Sequence, residues 1–193
     1  AATVGYQKTW HKGAADRDVF IGRISATPVK SVWLFGSAKV DVNTPGDAVN
    51  TAGPHLTEAF AQARWSPDRT GGISVSLSHY TWPDIERNQF QAIPVELIQT
   101  GRVDRAELTG WYEVVKDLRL TARTNYWADQ RGDGYGGGLD ADWDKALDLP
   151  AAFHAGVFMT QGSYADTMGF RVEARPGTGD IRGILGYEFL RYS

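Results

Sequence analysis

Apolar and polar residues alternate at every second position along most of this chain, and that alternation restricts the folds open to it. In the segment MGFRVEAR, residues 168–175, every second residue is apolar, and Arg171, Glu173 and Arg175 lie between them. Successive side chains of a β-strand point to opposite faces, so such a segment has one apolar and one polar face. The pattern recurs in about eleven segments of roughly 8–12 residues, close to the ~9–11 residues of a membrane-spanning strand. The sequence therefore predicts an all-β, antiparallel protein.

The connections between the predicted strands differ in length from one to the next. Short connections are predicted at 28–30, 66–71, 115–117, 145–150 and 176–180. Longer connections are predicted at 11–18, 43–55, 83–104 and 129–134, with one of intermediate length at 161–166. Short and long connections thus alternate, which indicates an up-and-down meander with simple turns at one end and longer loops at the other.

One predicted loop contains apolar residues that need a partner surface. The loop 83–104 includes FQAIPVELI at 90–98, and the best helical candidate of the chain, 92–101, overlaps it but is short and contains Pro94. Apolar side chains are stabilised by removal from water. The run could fold into a barrel lumen as a constriction or plug, dock on another protein, or pack on the rim of its own barrel.

The alternation by itself fits two opposite environments. A soluble sandwich buries its apolar face, whereas a transmembrane barrel turns that face to lipid and its polar face to the lumen. Ala59, Ala61 and Ala63 share one predicted face and would leave voids in a close-packed core, but lipid tails fill any shape. Aromatic residues stand near predicted strand ends at Trp10, Trp65, Trp82, Tyr126, Trp127 and Tyr187. Aromatic belts of this kind favour the membrane.

Composition removes several other classes of protein. The net charge is −3, so charge-driven binding of nucleic acid is not expected. The chain has no cysteine, which removes a disulfide framework or a cysteine-based metal site and favours export through an oxidising compartment. No stretch approaches the roughly 18 consecutive apolar residues of a transmembrane helix. An exported β protein is therefore the expectation.

The segment GLDADWD, residues 138–144, has both faces in their sharpest form, because three aspartates alternate with Leu139, Ala141 and Trp143. With this strand pattern over nearly its whole length, the sequence resembles the porin-like β-barrels of the Gram-negative outer membrane as a class. The resemblance implies an antiparallel, up-and-down transmembrane β-barrel located in the outer membrane, with residues 1–193 forming a single barrel domain or a segment of one. The odd strand count, and an ending FLRYS in which Phe189 is not terminal, favour a larger barrel or a missing closing strand.

The polar face supplies the predicted site. The predicted lumen-lining residues are Arg119, Arg123, Asp140, Asp142, Asp144, Arg171, Glu173 and Arg175. Carboxylates and guanidinium groups on neighbouring strands can pair, and charges in a lumen set the ion preference of a passive channel. We therefore expect a transport role without catalysis or cofactor. The expected partners are membrane lipid and, as alternatives, another envelope protein or further barrel strands, but not nucleic acid.

Two other functions fit the same pattern. In a barrel of few strands the lumen charges would pair and close the lumen, which would leave a scaffold that holds an envelope partner protein. A soluble β-barrel that binds an apolar ligand would instead enclose Leu34, Val75, Leu120 and Phe170, which the membrane interpretation assigns to lipid.

Catalytic and metal-binding motifs have little support. His79 lies near Ser78 and Asp84, but its parity places it on the apolar face, where an interfacial histidine is the better interpretation. His154 falls on the polar face beside a predicted turn and is expected to be a structural lumen residue. The segment 129–144 is rich in Asp and Gly but lacks the order of a calcium-binding EF-hand loop, so a Gly-rich hairpin turn is the better interpretation. No metal site is predicted.

Overall fold

The computed structural model describes residues 1–11, 14–44, 53–81, 102–129, 132–145, 150–163, 166–178 and 181–193, and most of these residues lie in β-strands. The strands are β1 Ala2–His11, β2 Ala14–Val29, β3 Val32–Thr44, β4 Gly53–Trp65, β5 Gly71–Thr81, β6 Arg102–Val115, β7 Leu118–Asp129, β8 Gly132–Trp143, β9 Ala151–Gly162, β10 Thr167–Thr178, β11 Ile181–Arg182 and β12 Leu185–Tyr192. Nowhere in the described residues is there a helix long and apolar enough to cross a membrane.

The strands are connected as an antiparallel meander. Strands β1 to β11 are hydrogen-bonded in chain order within a 12-stranded sheet, and β12 pairs with β10 beside β11. The pairs β1–β2, β2–β3, β8–β9, β9–β10 and β10–β12 are all antiparallel. Because β11 has only 2 residues, the long strands number about eleven, as the alternation predicts. The predicted all-β, antiparallel, up-and-down architecture is confirmed.

Two of the predicted long loops are wrong, at 11–18 and at 129–134. His11 pairs with Ala14, so β1 and β2 continue through most of the first segment. In the second, β7 extends to Asp129 and β8 begins at Gly132. Backbone amides and carbonyls need hydrogen-bond partners whether or not the side chains alternate. Antiparallel pairing therefore continues past the end of the hydrophobic pattern, and the strict alternation of short and long connections is not observed.

The predicted loop 83–104 is described only where it joins β6, at residues 102–104. Its apolar run 90–98 and the candidate helix 92–101 lie outside the described residues.

The connection between β6 and β7 is a tight turn of Lys116 and Asp117. Asp117 has a φ of 64°, in the left-handed region that aspartate tolerates better than most residues. Its amide donates to Oε1 of Glu113 at 3.2 Å, and its carbonyl accepts the amide of Asp144 at 2.8 Å. These bonds satisfy the polar backbone groups of the turn, so the strands can reverse within two residues.

The chain divides into two compact units, and neither has a conventional hydrophobic core among its described residues. The first unit is Ala1–Ala63, Ser76–Arg105 and Ala128–Gln130, and the second is Arg64–Val75, Ala106–Trp127 and Arg131–Ser193. Among the described residues, Val19 is the one buried hydrophobic side chain, whereas Asp18, Asp41, Thr57 and Glu173 are buried polar residues. This distribution is the reverse of a soluble domain, in which aspartate and glutamate are rarely buried.

Candidate functional site

One face of β8, β9, β10 and β12 is apolar and exposed. In the strand register Leu139 lies opposite Val157, Val157 opposite Phe170, and Phe170 opposite Phe189. Their exposed fractions are 61%, 53%, 39% and 44%. Phe170 and Phe189 stack with ring centroids 5.7 Å apart. We call this surface the apolar face of the second unit. Its residues contact one another along the sheet, and no second layer formed by the described residues encloses them.

The opposite face of the same strands is charged, and its residues lie in rows across the strands. Asp142 on β8 lies opposite His154 on β9, which lies opposite Glu173 on β10. In the next row, Asp140 lies opposite Gly156, and Gly156 opposite Arg171. Directly opposite residues of antiparallel strands have Cβ atoms about 4.5–5.5 Å apart. The rows therefore bring together charged side chains that are far apart in sequence.

The first cluster of this polar face joins Arg123, Asp140, His154 and Asp142. Nη2 of Arg123 is 3.0 Å from Oδ2 of Asp140. The His154 ring lies between two carboxylates, with Nδ1 2.8 Å from Oδ1 of Asp142 and Nε2 3.7 Å from Oδ1 of Asp140. Asp140 is well shielded, with 12% of its side chain exposed, whereas Arg123 is half exposed. The cluster fixes three strands by side-chain contacts as well as by backbone bonds.

The second cluster lies on β10 alone. Glu173 is 4% exposed and is flanked by Arg171 and Arg175 on the same face, two residues away on either side. Its Oε2 accepts from Nη2 and Nε of Arg175 at 2.6 and 3.1 Å, and its Oε1 contacts Nη2 of Arg171. Both guanidinium groups remain about half exposed. They shield the carboxylate and can still contact ions or solutes on their outer edges.

Two glycines make room for the carboxylates of these clusters. A Cβ atom added at Gly156 would collide with Oδ1 of Asp140, and one at Gly186 would lie 3.1 Å from Cγ of Glu173. Gly186 pairs with Glu173 across β10 and β12. A larger residue at position 156 would therefore displace the carboxylate of Asp140, which occupies the space over the glycine. Neither glycine belongs to a sequence motif, so the amino-acid sequence alone does not distinguish them from the other glycines of the strands.

Two predicted lumen residues stand apart from the clusters. Asp144 lies in the turn after β8, one residue beyond the last strand residue Trp143, so the row of aspartates ends at Asp142 within the strand. Arg119 is an exposed residue of β7 and forms no ion pair within the described part of the chain. The structure therefore brings together six of the eight predicted residues and adds His154 to them.

The first unit contains separate polar pairs. Nζ of Lys39 on β3 is 2.8 Å from Oε1 of Glu58 on β4. Nδ1 of His79, at the end of β5, is 2.6 Å from Oδ1 of Asp104, whose Oδ2 accepts from Nε of Arg102 at 2.6 Å. The described contacts give His79 a carboxylate partner at a strand end. Asp84, the other partner considered from sequence, lies outside the described residues.

No group of three or more His, Asp or Glu side chains within the described residues could hold a metal ion. In the Asp- and Gly-rich segment 129–144, Oδ2 of Asp133 accepts a hydrogen bond from the hydroxyl of Tyr126 at 3.2 Å. The charged clusters are closed by their own arginine and histidine partners. They are therefore ion-paired clusters with their charges compensated by neighbouring side chains.

The strand topology and the two faces together indicate an environment for this protein. An antiparallel, up-and-down β protein with an exposed apolar face and a shielded, ion-paired polar face has the side-chain distribution that transmembrane β-barrels show. No family model matches the sequence. A search of curated proteins finds no match either. Among solved structures, the chain aligns with a "KdgM porin in complex with disordered oligogalacturonate" over 99% of this chain and 93% of that chain, with 13% identity and a TM-score of 0.38. At that TM-score the likeness supports no argument about function.

Proposed function

We propose that this chain is a β-barrel protein of the Gram-negative outer membrane, or a segment of one, whose polar face lines a passive route for ions or small polar solutes. The observation that carries the proposal is the reversed burial of its side chains. Leu139, Val157 and Phe170 are exposed, whereas Asp140 and Glu173 are shielded. Exposed apolar area is unfavourable in water at about 25 cal/mol per Å², but it is the expected state of a surface covered by lipid.

The length of the apolar band supports the same placement. On β8 the apolar face runs from Tyr135 to Trp143, which matches the ~9–11 residues of a strand that spans a bilayer. Polar pairs mark one end of the band in the second unit. The hydroxyl of Tyr135 contacts Oε1 of Gln161, and that of Tyr126 donates to Asp133. Tyrosines with a ring on apolar surface and a hydroxyl in a polar layer are typical of membrane interfaces.

The charge balance of the polar face supports a channel with weak selectivity between ions of opposite sign. The clusters contain three arginines and three carboxylates, and His154 adds a positive charge only when it is protonated. Fixed charges in a lumen set ion preference. Since these charges compensate one another, removal of a single charge is expected to change the ion preference of the route.

A second candidate is a soluble protein that binds an apolar ligand, and a groove on the apolar face favours it. The groove has a volume of about 920 Å³ and is lined by Leu108, Leu139, Val157 and Phe170, among others. This volume lies within the ~300–1,000 Å³ of small-molecule sites. In that case the apolar face would enclose a ligand in an aqueous protein instead of facing lipid.

Spin labels distinguish the two candidates directly. The chain has no cysteine, so Leu120→Cys and Arg119→Cys can each be labelled in an otherwise unchanged protein reconstituted in lipid vesicles. Position 120 is on the apolar face and 45% exposed, and position 119 is exposed on the polar face. In electron paramagnetic resonance spectra, the proposal predicts that oxygen broadens the signal of the label at position 120. A water-soluble nickel chelate is expected to broaden the signal of the label at position 119. Nickel access at 120 equal to that at 119 contradicts the membrane placement.

The channel role has its own measurement. In planar bilayers under a salt gradient, Glu173→Gln removes a negative charge and is expected to shift the reversal potential toward anion preference. Arg175→Gln, on the same strand and face, is the matched control and is expected to shift it toward cations. Shifts of the same sign in the two variants contradict the transport role. The absence of conductance from a protein whose label at position 120 is in lipid also contradicts it and leaves the scaffold alternative.

A further inference from the structure

The groove on the apolar face of the second unit has the shape of a site for a flexible hydrocarbon chain. Its floor includes Gly110, Ala122 and Gly137 on β6, β7 and β8, and its walls include Leu139 and Phe170. Small residues on consecutive strands produce a depression that runs across the sheet, and larger side chains border it. A hydrocarbon chain can lie along such a depression without any polar contact.

The groove continues along the strands. A second depression of about 700 Å³ is adjacent to the first and shares Gly110, Leu139 and Phe170 with it. At the opposite end, the first groove is bordered by Met159 and Met168. Methionine side chains are flexible and adapt to irregular apolar partners. The two depressions together form a long apolar surface across several strands, which suits an elongated ligand better than a compact one.

One end of this groove is cationic and polar. Arg191 on β12 pairs with Met168 on β10, so its side chain is on the apolar face, next to a groove-lining residue. Arg191 is exposed and forms no ion pair among the described contacts. Tyr135, which also lines the groove, directs its hydroxyl to Gln161 at the same end of β8 and β9. An exposed guanidinium group at the end of an apolar groove is complementary to a phosphate.

We propose that this groove binds one anionic phospholipid of the surrounding membrane, with an acyl chain along Gly110 and Gly137 and the phosphate at Arg191. This inference rests on the membrane placement proposed above and adds a specific lipid site to it. An apolar depression selects for hydrocarbon, and the single cation at its end selects for a negative headgroup. A lipid with the same acyl chains and a zwitterionic headgroup would bind more weakly.

The test uses the full chain purified in detergent, with retained lipid counted by native mass spectrometry after addition of phosphatidylglycerol or of phosphatidylcholine with identical acyl chains. The wild-type protein is expected to retain one phosphatidylglycerol and less phosphatidylcholine. Gly110→Leu can be accommodated, because a Cβ at Gly110 has no neighbour closer than 3.9 Å, and its side chain would fill the groove. It is expected to lower lipid retention about tenfold through lost methylene contacts. Gly22→Leu is the matched control, since Gly22 is on the apolar face of the first unit with no atom within 4 Å of an added Cβ.

The headgroup assignment is tested by Arg191→Gln, which is expected to lower phosphatidylglycerol retention about fivefold while leaving phosphatidylcholine retention unchanged. The lipid site is overturned if the wild-type protein retains the two lipids equally. It is also overturned if Gly110→Leu retains as much phosphatidylglycerol as the wild type. Retention of free fatty acid in place of phospholipid also overturns it. Failure of the membrane placement itself is detected separately, by the spin label at Leu120. A lipid-exposed label with no retained phospholipid rejects this site alone.

Discussion

Leu139→Arg measures where the bilayer lies along the strands. Leu139 is 61% exposed and stands midway between Tyr135 and Trp143, the two ends of the apolar band on β8. Four residues on either side correspond to about 13 Å along a strand, or about 10 Å along the membrane normal at a tilt of ~40°. Leu139 is therefore near the middle of an apolar layer of ~25 Å, and an arginine there is expected to cost about 2–4 kcal/mol of the free energy of unfolding.

The matched control is Trp143→Arg, measured relative to Trp143→Leu so that loss of the indole ring is not counted. Trp143 is at the end of the apolar band on the same strand as Leu139, so their separation along the strand gives their difference in depth directly. The same substitution near an interface is expected to cost only about 0–1 kcal/mol. All variants and the wild type would be compared by urea titration of the protein folded into phospholipid vesicles, followed by tryptophan fluorescence. Equal costs at the two positions, or a negligible cost at Leu139, would refute the placement of this face in lipid.

Three further predictions concern stability, and each is read from the same urea titration. Gly156→Val introduces a side chain where the carboxylate of Asp140 lies, and the expected loss is about 1–3 kcal/mol; an unchanged midpoint would show that the carboxylate has room elsewhere. Asp117→Val forces a β-branched residue to a φ of 64° and should cost about 1–2 kcal/mol relative to Asp117→Gly; equal stability of the two variants would argue against a left-handed turn. The hydroxyl and amide of Thr70 donate to the Asp68 carboxylate and lower its pKa below the ordinary value. The stabilisation that this carboxylate contributes is therefore present above about pH 4 and is lost as pH falls through the lowered pKa. Asp68→Asn should therefore lose less stability than the wild type on acidification, and parallel losses would contradict the assignment.

Part of the candidate site could be predicted from sequence because it depends on neighbours within one strand. Arg171, Glu173 and Arg175 are two residues apart, so any strand places them on one face, and the structure joins them in one cluster. The alternation of aspartates placed Asp140 and Asp142 on one face for the same reason. The end of β8 could not be predicted in this way, and Asp144 lies in the turn that follows it. Strand ends depend on which backbone groups find partners on the next strand.

The sequence by itself determined the all-β class and the assignment of side chains to two faces, because the two-residue period of a strand is a local property of the backbone. Only the tertiary structure decided the register, which places His154 between Asp142 and Glu173 and places Gly156 beneath Asp140. A shift of one residue between β8 and β9 would turn every one of these side chains to the other face. Register depends on the turn that joins two strands and on which residues of the two strands face each other, and the alternation within a single strand fixes neither.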